Sequence, residues 1–302
     1  MRDLKQARAR LIRKSSLELK QLNENTSNVF SKFHRYDTNL IQMLSLREFY
    51  CASYEELNDP YDCRLQFTDS FIESLFKRDD KTMFNIDEIW SKFFNEVEVQ
   101  HYKDRFTVIE LEKDSDQARL ELIYDVKYHT DFVNVLLNEL PIKIICFTTN
   151  EDETQNDLLM WAHYAYSSNG VKLKFDFSKK NLGDSVRSRL SKVEYDGILP
   201  VNSNIDYFES IFHKGGGWTY ENEYRMFTIT NKKFPFELST LVEIIFGFNV
   251  SNDDRESLIV LTSKLGYHNC KFSRMVFIKG KLTKIPIDYN PMNEYRFTDM
   301  MT

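Results

Sequence analysis

The segment Val171-Lys172-Leu173-Lys174-Phe175-Asp176-Phe177 alternates apolar and charged residues without interruption. Successive side chains of an extended chain point to opposite faces, so Val171, Leu173, Phe175 and Phe177 share one face while Lys172, Lys174 and Asp176 share the other. A helix would spread the same residues around its axis, so the segment is a strand with one face on a core. IKIICFTT, from Ile142 to Thr149, is short, almost continuously apolar and rich in β-branched residues, which fits a buried strand. SKVEYD, EYRMFTIT, LVEIIFGF and KFSRMVFI read as further strands, and VFSKFHRY and FYCASY as extended segments near the start.

Helical spacing separates these runs. TNLIQMLSLRE and DLLMWAHYAY carry it, the second closed by Ser167-Ser168-Asn169-Gly170, where Asn and Gly supply a left-handed turn. NDDRESLIVLTSKLGY is an amphipathic helix capped by Asn252 or Asp253 and closed at Gly266. Asn58-Asp59-Pro60 breaks the chain, because a residue before proline is pushed out of the helical region. Residues from about 70 to 140 are helix-rich and acidic and end at Pro141. The expected architecture is α+β: a mostly antiparallel sheet assembled from two parts of the chain (residues 29–285), interrupted by that helical insertion. An N-terminal basic helix (1–28) precedes it and an irregular tail (286–302) follows.

The 302 residues carry 40 basic and 46 acidic side chains, a net charge of −6, and the mean hydropathy is −0.48. That balance disfavours general nucleic-acid coating. No apolar run approaches the ~18 residues of a spanning helix, and the charged start lacks a secretory centre, so a cytoplasmic, membrane-free protein is expected. Seven Lys or Arg against Asp3 and Glu18 in the first 23 residues suit a solvated docking helix, or one that touches nucleic acid or an acidic partner. Cys51, Cys63, Cys146 and Cys270 are widely spaced and the six histidines show no paired ligand spacing, so no metal is expected.

Chemistry concentrates in three places. His213-Lys214-Gly215-Gly216-Gly217-Trp218 leads into Tyr220-Glu221-Asn222-Glu223-Tyr224-Arg225, and places three of the nine glycines in a row. The run predicts a mobile loop that approaches a ligand or acts as a lid. The two-residue period puts Glu221, Glu223 and Arg225 on one strand face, where two carboxylates can act on one bound molecule or form a minor surface ion pair. His34-Arg35-Tyr36 on an early strand can grip a phosphate or ribose, with His34 and Tyr36 on one face and Arg35 on the other. Asn58 and Asp62 either assist or merely stitch their turn. Trp161, His163 and Tyr164 share a helix, where such rings are core as readily as a cofactor shelf.

FHRY, FYCASYEELNDPYD, CFTTNED, LLMWAHYAYSSNGVKLKFD, KVEYD, and KGGGW with YENEYR follow one another in an order and spacing that resemble the bacterial domain-of-unknown-function 2971 family over residues 33–277. The resemblance implies a shared fold and suggests an anti-phage or toxin-type setting, in which members of that family are often met. More distantly, the chain is similar to ADP-ribosyltransferases. Those enzymes carry an Arg or His on an early strand, an aromatic or Ser-bearing middle segment, and a late Glu-x-Glu after a mobile loop. No clear Ser-Thr-Ser middle strand is present here.

That similarity implies NAD as substrate and a protein or nucleic-acid acceptor. It casts Glu223 as the stabiliser of positive charge on the ribose and Glu221 as the group that orients the acceptor. His34 or Arg35 would grip the phosphate or ribose, and Trp218 or Tyr164 would stack on nicotinamide. A nucleotide-sensing or protein-binding module using the same pocket without turnover is the first rival. A hydrolase or nuclease using the carboxylates with His213 and Lys214 is the second.

Overall fold

The computed structural model describes residues 28–59, 62, 66–67, 142–149, 155–178, 190–197, 200–201, 211–229 and 232–288. The basic segment at the start, the helical insertion and nearly all of the tail lie outside them. The chain is α+β. Its early strands are β1 (Val29–Arg35), β2 (Glu48–Tyr50) and β3 (Gln66–Phe67), with helix α1 (Thr38–Leu46) between the first two. After β4 (Ile142–Thr148) come α2 (Gln155–Tyr164), β5 (Gly170–Asp176), β6 (Ser191–Lys192), β7 (Pro200–Val201) and β8 (Glu223–Ile229). The chain continues through β9 (Lys233–Pro235), β10 (Leu241–Phe246), α3 (Asn252–Lys264), β11 (Lys271–Ile278) and β12 (Lys281–Pro286).

Eight strands form one open sheet in the order β12-β11-β10-β5-β1-β4-β8-β6. Its pairings are antiparallel except for β10 with β11, which α3 connects as a parallel crossover. Strands β1 and β4, far apart in sequence, lie side by side at its centre, as expected for a sheet drawn from two parts of the chain.

Both faces of the sheet are covered. On one, Phe30, Phe147, Phe175, Phe177 and Tyr224 meet Leu40 and Leu44 of α1 and Leu258 and Ile259 of α3. Phe147 is edge-on to Phe49 at 5.2 Å and to Phe177 at 5.6 Å, the arrangement that aromatic quadrupoles favour. On the other face, Met160 and Trp161 of α2 and the adjoining Ala165 pack against Phe33, Ile245 and Met275. The alternation of β5 is therefore real, but its charged face is not open to water. Lys172 is buried and donates to Asp157 of α2 at 2.8 Å.

Local details refine the sequence reading. Helix α3 is capped by Ser251, which accepts from the Asp254 N–H, rather than by Asn252 or Asp253. Asp37 caps α1 by accepting from the Asn39 and Leu40 N–H groups. The left-handed residues after α2 are Tyr166, Ser167 and Ser168, not Asn169 or Gly170. Gly170 has another reason to be glycine: a Cβ there would lie 2.2 Å from the His34 carbonyl oxygen, inside the β1–β5 pairing. Strand β12, which the sequence reading does not single out and which reaches the expected tail only at Pro286, pairs with β11 from Ser273 to Ile278.

Candidate functional site

Strands β1 and β5 pair over seven positions, as do β4 and β8, but β1 and β4 register only at Ser31 opposite Thr148. Beyond that pair the strands part. Backbone groups along the opening need other partners. Ala52 exchanges hydrogen bonds with Ile144 at 2.8 and 2.7 Å, and the Lys32 ammonium donates to the Cys146 carbonyl at 3.1 Å. The opening is a cavity of about 380 Å³ lined by β1, β4, α2, the segment after β2, and the approach to β8. That volume lies within the ~300–1,000 Å³ range of small-molecule pockets.

One wall is acidic. The chain enters β8 through a 3₁₀ turn from Gly216 to Glu221 and a left-handed Asn222, φ 44°. This turn, not strand alternation, brings Glu221 beside Glu223. The Arg225 guanidinium donates from Nε to Glu223 Oε1 at 2.8 Å and from Nη2 to Oε2 at 2.9 Å. It also grips Asp62 from Nη1 at 2.8 Å and donates to the Ile211 carbonyl at 2.7 Å. The Lys214 ammonium lies 2.6 Å from Glu221, 3.3 Å from Asp62 and 3.4 Å from Glu223. All five side chains are buried, three carboxylates against two cations.

Their titration follows from this geometry. Burial opposes ionisation of Glu223, but Arg225 and Lys214 overcome it and bring the carboxyl down to about 2. Glu221 is pushed up by burial and by the neighbouring Glu223 charge, against the pull of Lys214. Lys214 is raised because its three carboxylates outweigh its burial. The Tyr164 hydroxyl donates to Glu221 and accepts from Asn58 Nδ2 at 2.8 Å, and burial with the Glu221 charge raises its pKa. Tyr195 presents its hydroxyl oxygen to the Glu223 N–H at 2.7 Å, and Thr148 donates to the Glu221 carbonyl at 2.6 Å.

The basic groups lie on β1, beyond β4. Lys32, His34 and Arg35 all line the cavity. Burial lowers the His34 pKa, although its contact with the Arg35 carbonyl at 2.9 Å opposes that shift. The Arg35 guanidinium sits 5.4 Å from the Tyr166 ring centre. Two other acids touch the cavity with their oxygens engaged locally, Asp37 in capping α1 and Glu56 with Tyr50 and Ser53.

Of the sequence-derived residues, His34, Arg35, Asn58, Asp62, Tyr164, Lys214, Glu221 and Glu223 line this single cavity. Arg225 stands directly behind it. Trp218 is outside the lining, its ring centre 4.7 Å from the Lys214 ammonium and about 6 Å from those of Tyr220 and His163. Two residues are elsewhere. Tyr36 follows the end of β1 and donates to the Asp254 carbonyl at 3.1 Å, on the α3 side of the sheet. Trp161 is 1 % exposed and edge-on to Phe33 at 5.0 Å, so it belongs to the core under α2. The glycine run opens the 3₁₀ turn from Gly216 to Glu221: Gly215 has φ −64°, and a Cβ at Gly216 or Gly217 would meet nothing closer than 3.5 Å.

Lys32 and Tyr195 were not singled out as ligand groups by sequence, and His163, noted there beside Tyr164, lines the cavity. Lys32 was legible in principle, being two residues before His34 on the same strand face. Cys51, Cys146 and Cys270 are free thiols, and Cys63 lies outside the described residues. Among the described residues, Glu194, Asp196 and His213 bring ligand atoms within 4.8 Å of one another, with His213 Nδ1 already 2.7 Å from Asp196. No described helix is long and apolar enough to cross a membrane. Compared with family models, curated proteins and solved structures, the chain matches none.

Proposed function

We propose that the cavity binds a nicotinamide dinucleotide and transfers its ADP-ribosyl group, in the manner of an ADP-ribosyltransferase. The observation that carries this reading is the meeting of Glu223, kept ionised by Arg225 and Lys214, with His34 and Arg35 in one cavity. Its two ends differ in sign, which suits a ligand with phosphates at one end and a cationic ring at the other.

Cleavage breaks the bond between ribose C1′ and the pyridine nitrogen. The electron pair leaves with nicotinamide, positive charge spreads over the ribose ring, and the acceptor adds an electron pair at C1′ and gives up its proton. A fixed carboxylate that accepts from the ribose 2′-hydroxyl stabilises that charge as it forms, with no reorganisation at the moment of reaction. Glu223 takes this role. Glu221 orients the acceptor, and its raised pKa suits it to take the released proton. His34 or Arg35 grips a phosphate or the ribose, while Tyr164 or Trp218 offers a ring to nicotinamide. The family resemblance suggests a bacterial anti-phage or toxin-type role, with a protein or nucleic acid as acceptor.

A second reading is ligand sensing without turnover. It is favoured by the engagement of both glutamates with internal cations. Incubating the full chain with NAD and quantifying free nicotinamide separates the two. Release above the buffer rate supports transfer, whereas a melting temperature raised by ADP-ribose with no release selects sensing.

A further inference from the structure

The cavity contains two lysines in opposite electrostatic situations. Lys214 lies within 3.4 Å of three carboxylates, so its charge is spent inside the protein. Lys32 is half-buried, and among the described residues its ammonium has no carboxylate within ion-pair distance. Its contacts are the Cys146 carbonyl at 3.1 Å and the Phe147 ring at 5.9 Å. A partly desolvated ammonium with one neutral acceptor has donors left for a charged one.

Its place in the fold adds a second observation. Lys32 follows Ser31, the last position at which β1 meets β4, so it stands where the opening begins. His34 and Arg35 continue the positive wall outward along the same strand. The three carboxylates lie on the other side of β4. We propose that Lys32 is the principal anion-binding residue of the cavity and that the anion is a phosphate or pyrophosphate group of the ligand. This deepens the dinucleotide reading and rests on it only for the identity of the cavity as the ligand site. Charge-assisted N–H···O⁻ bonds are roughly twice as strong as neutral ones, so the ammonium favours phosphate oxygen over the Cys146 carbonyl.

Titrating the full chain with inorganic pyrophosphate in a calorimeter tests this directly. Wild type binds pyrophosphate. Lys32→Met weakens that binding about tenfold or more, and Lys32→Arg retains it within a few-fold. Nicotinamide riboside, which lacks a phosphate, binds wild type and Lys32→Met alike. Lys32→Gln keeps a donor for the Cys146 carbonyl and replaces Lys32→Met if loss of that contact prevents folding, as judged by circular dichroism. Absence of pyrophosphate binding by wild type, or equal binding by wild type and the uncharged variant, overturns the proposal. Lys32-dependent pyrophosphate binding without nicotinamide release upholds it while defeating the transferase reading.

Discussion

Ser31 and Thr148 form the one registered pair between β1 and β4 among the described residues, and the candidate site exists because the strands separate beyond it. Sheets seldom leave central backbone groups open, and here a short bridge at Ala52 and a lysine side chain occupy the gap. The opening sets an acid cluster on one neighbour of β4 against a basic wall on the other.

Arg225 is the keystone of the acid cluster. Arg225→Met takes the guanidinium away from the buried Asp62 and Glu223, and removing one partner of a buried ion pair typically costs about 3–5 kcal/mol. Urea denaturation should show a loss of that order. Arg225→Lys should recover part of it, because an ammonium cannot reproduce the forked contacts.

Glu223 also sets a pH dependence. Its carboxyl is held at about 2 against an ordinary value of 4.5, so its contribution to stability is fully present above about pH 4.5 and is lost as the pH falls toward 2. Glu221 has the opposite sign: its raised pKa costs stability as the pH rises through it. Urea midpoints measured from pH 2 to 6 should fall steeply at the acid end for wild type and less steeply for Glu223→Gln.

Tyr164→Phe removes a donor that lowers the Glu221 pKa. The acid limb of the pH profile for kcat/KM should move to higher pH, with a stability loss of about 1 kcal/mol for the lost hydrogen bond. An unmoved limb would separate Glu221 from the titration that governs activity.

Two glycine positions should respond in opposite ways. Gly170→Ala drives a Cβ to 2.2 Å from the His34 carbonyl oxygen, so β1 and β5 must separate and stability should fall by roughly 1–3 kcal/mol. Gly217→Ala meets nothing within 4 Å and has no left-handed φ, so thermal denaturation should show no loss.

The strands and helices were legible where periodicity is strong, as in β5, whose alternation survives as one face on the phenylalanine core and one under α2. Convergence of His34, Arg35, Glu221 and Glu223 was legible as an ordering of residue types along the chain. Its cause was not, because the β1–β4 split arises from pairing between segments more than 110 residues apart. Trp161 and Tyr164 show the limit most clearly. Three positions apart on one helix, one completes the core and the other bonds to Glu221, and only the tertiary neighbours separate them. The triple glycine was legible as a loop before β8 but not as the 3₁₀ turn it opens, because glycine's backbone freedom is compatible with many turn geometries.

The most direct test is nicotinamide release from NAD by wild type and Glu223→Gln, with circular dichroism confirming that both are folded. The account predicts measurable release by wild type and a loss of about a hundredfold or more in the variant, the scale of removing one preorganised transition-state contact. Release by folded Glu223→Gln at the wild-type rate would contradict it.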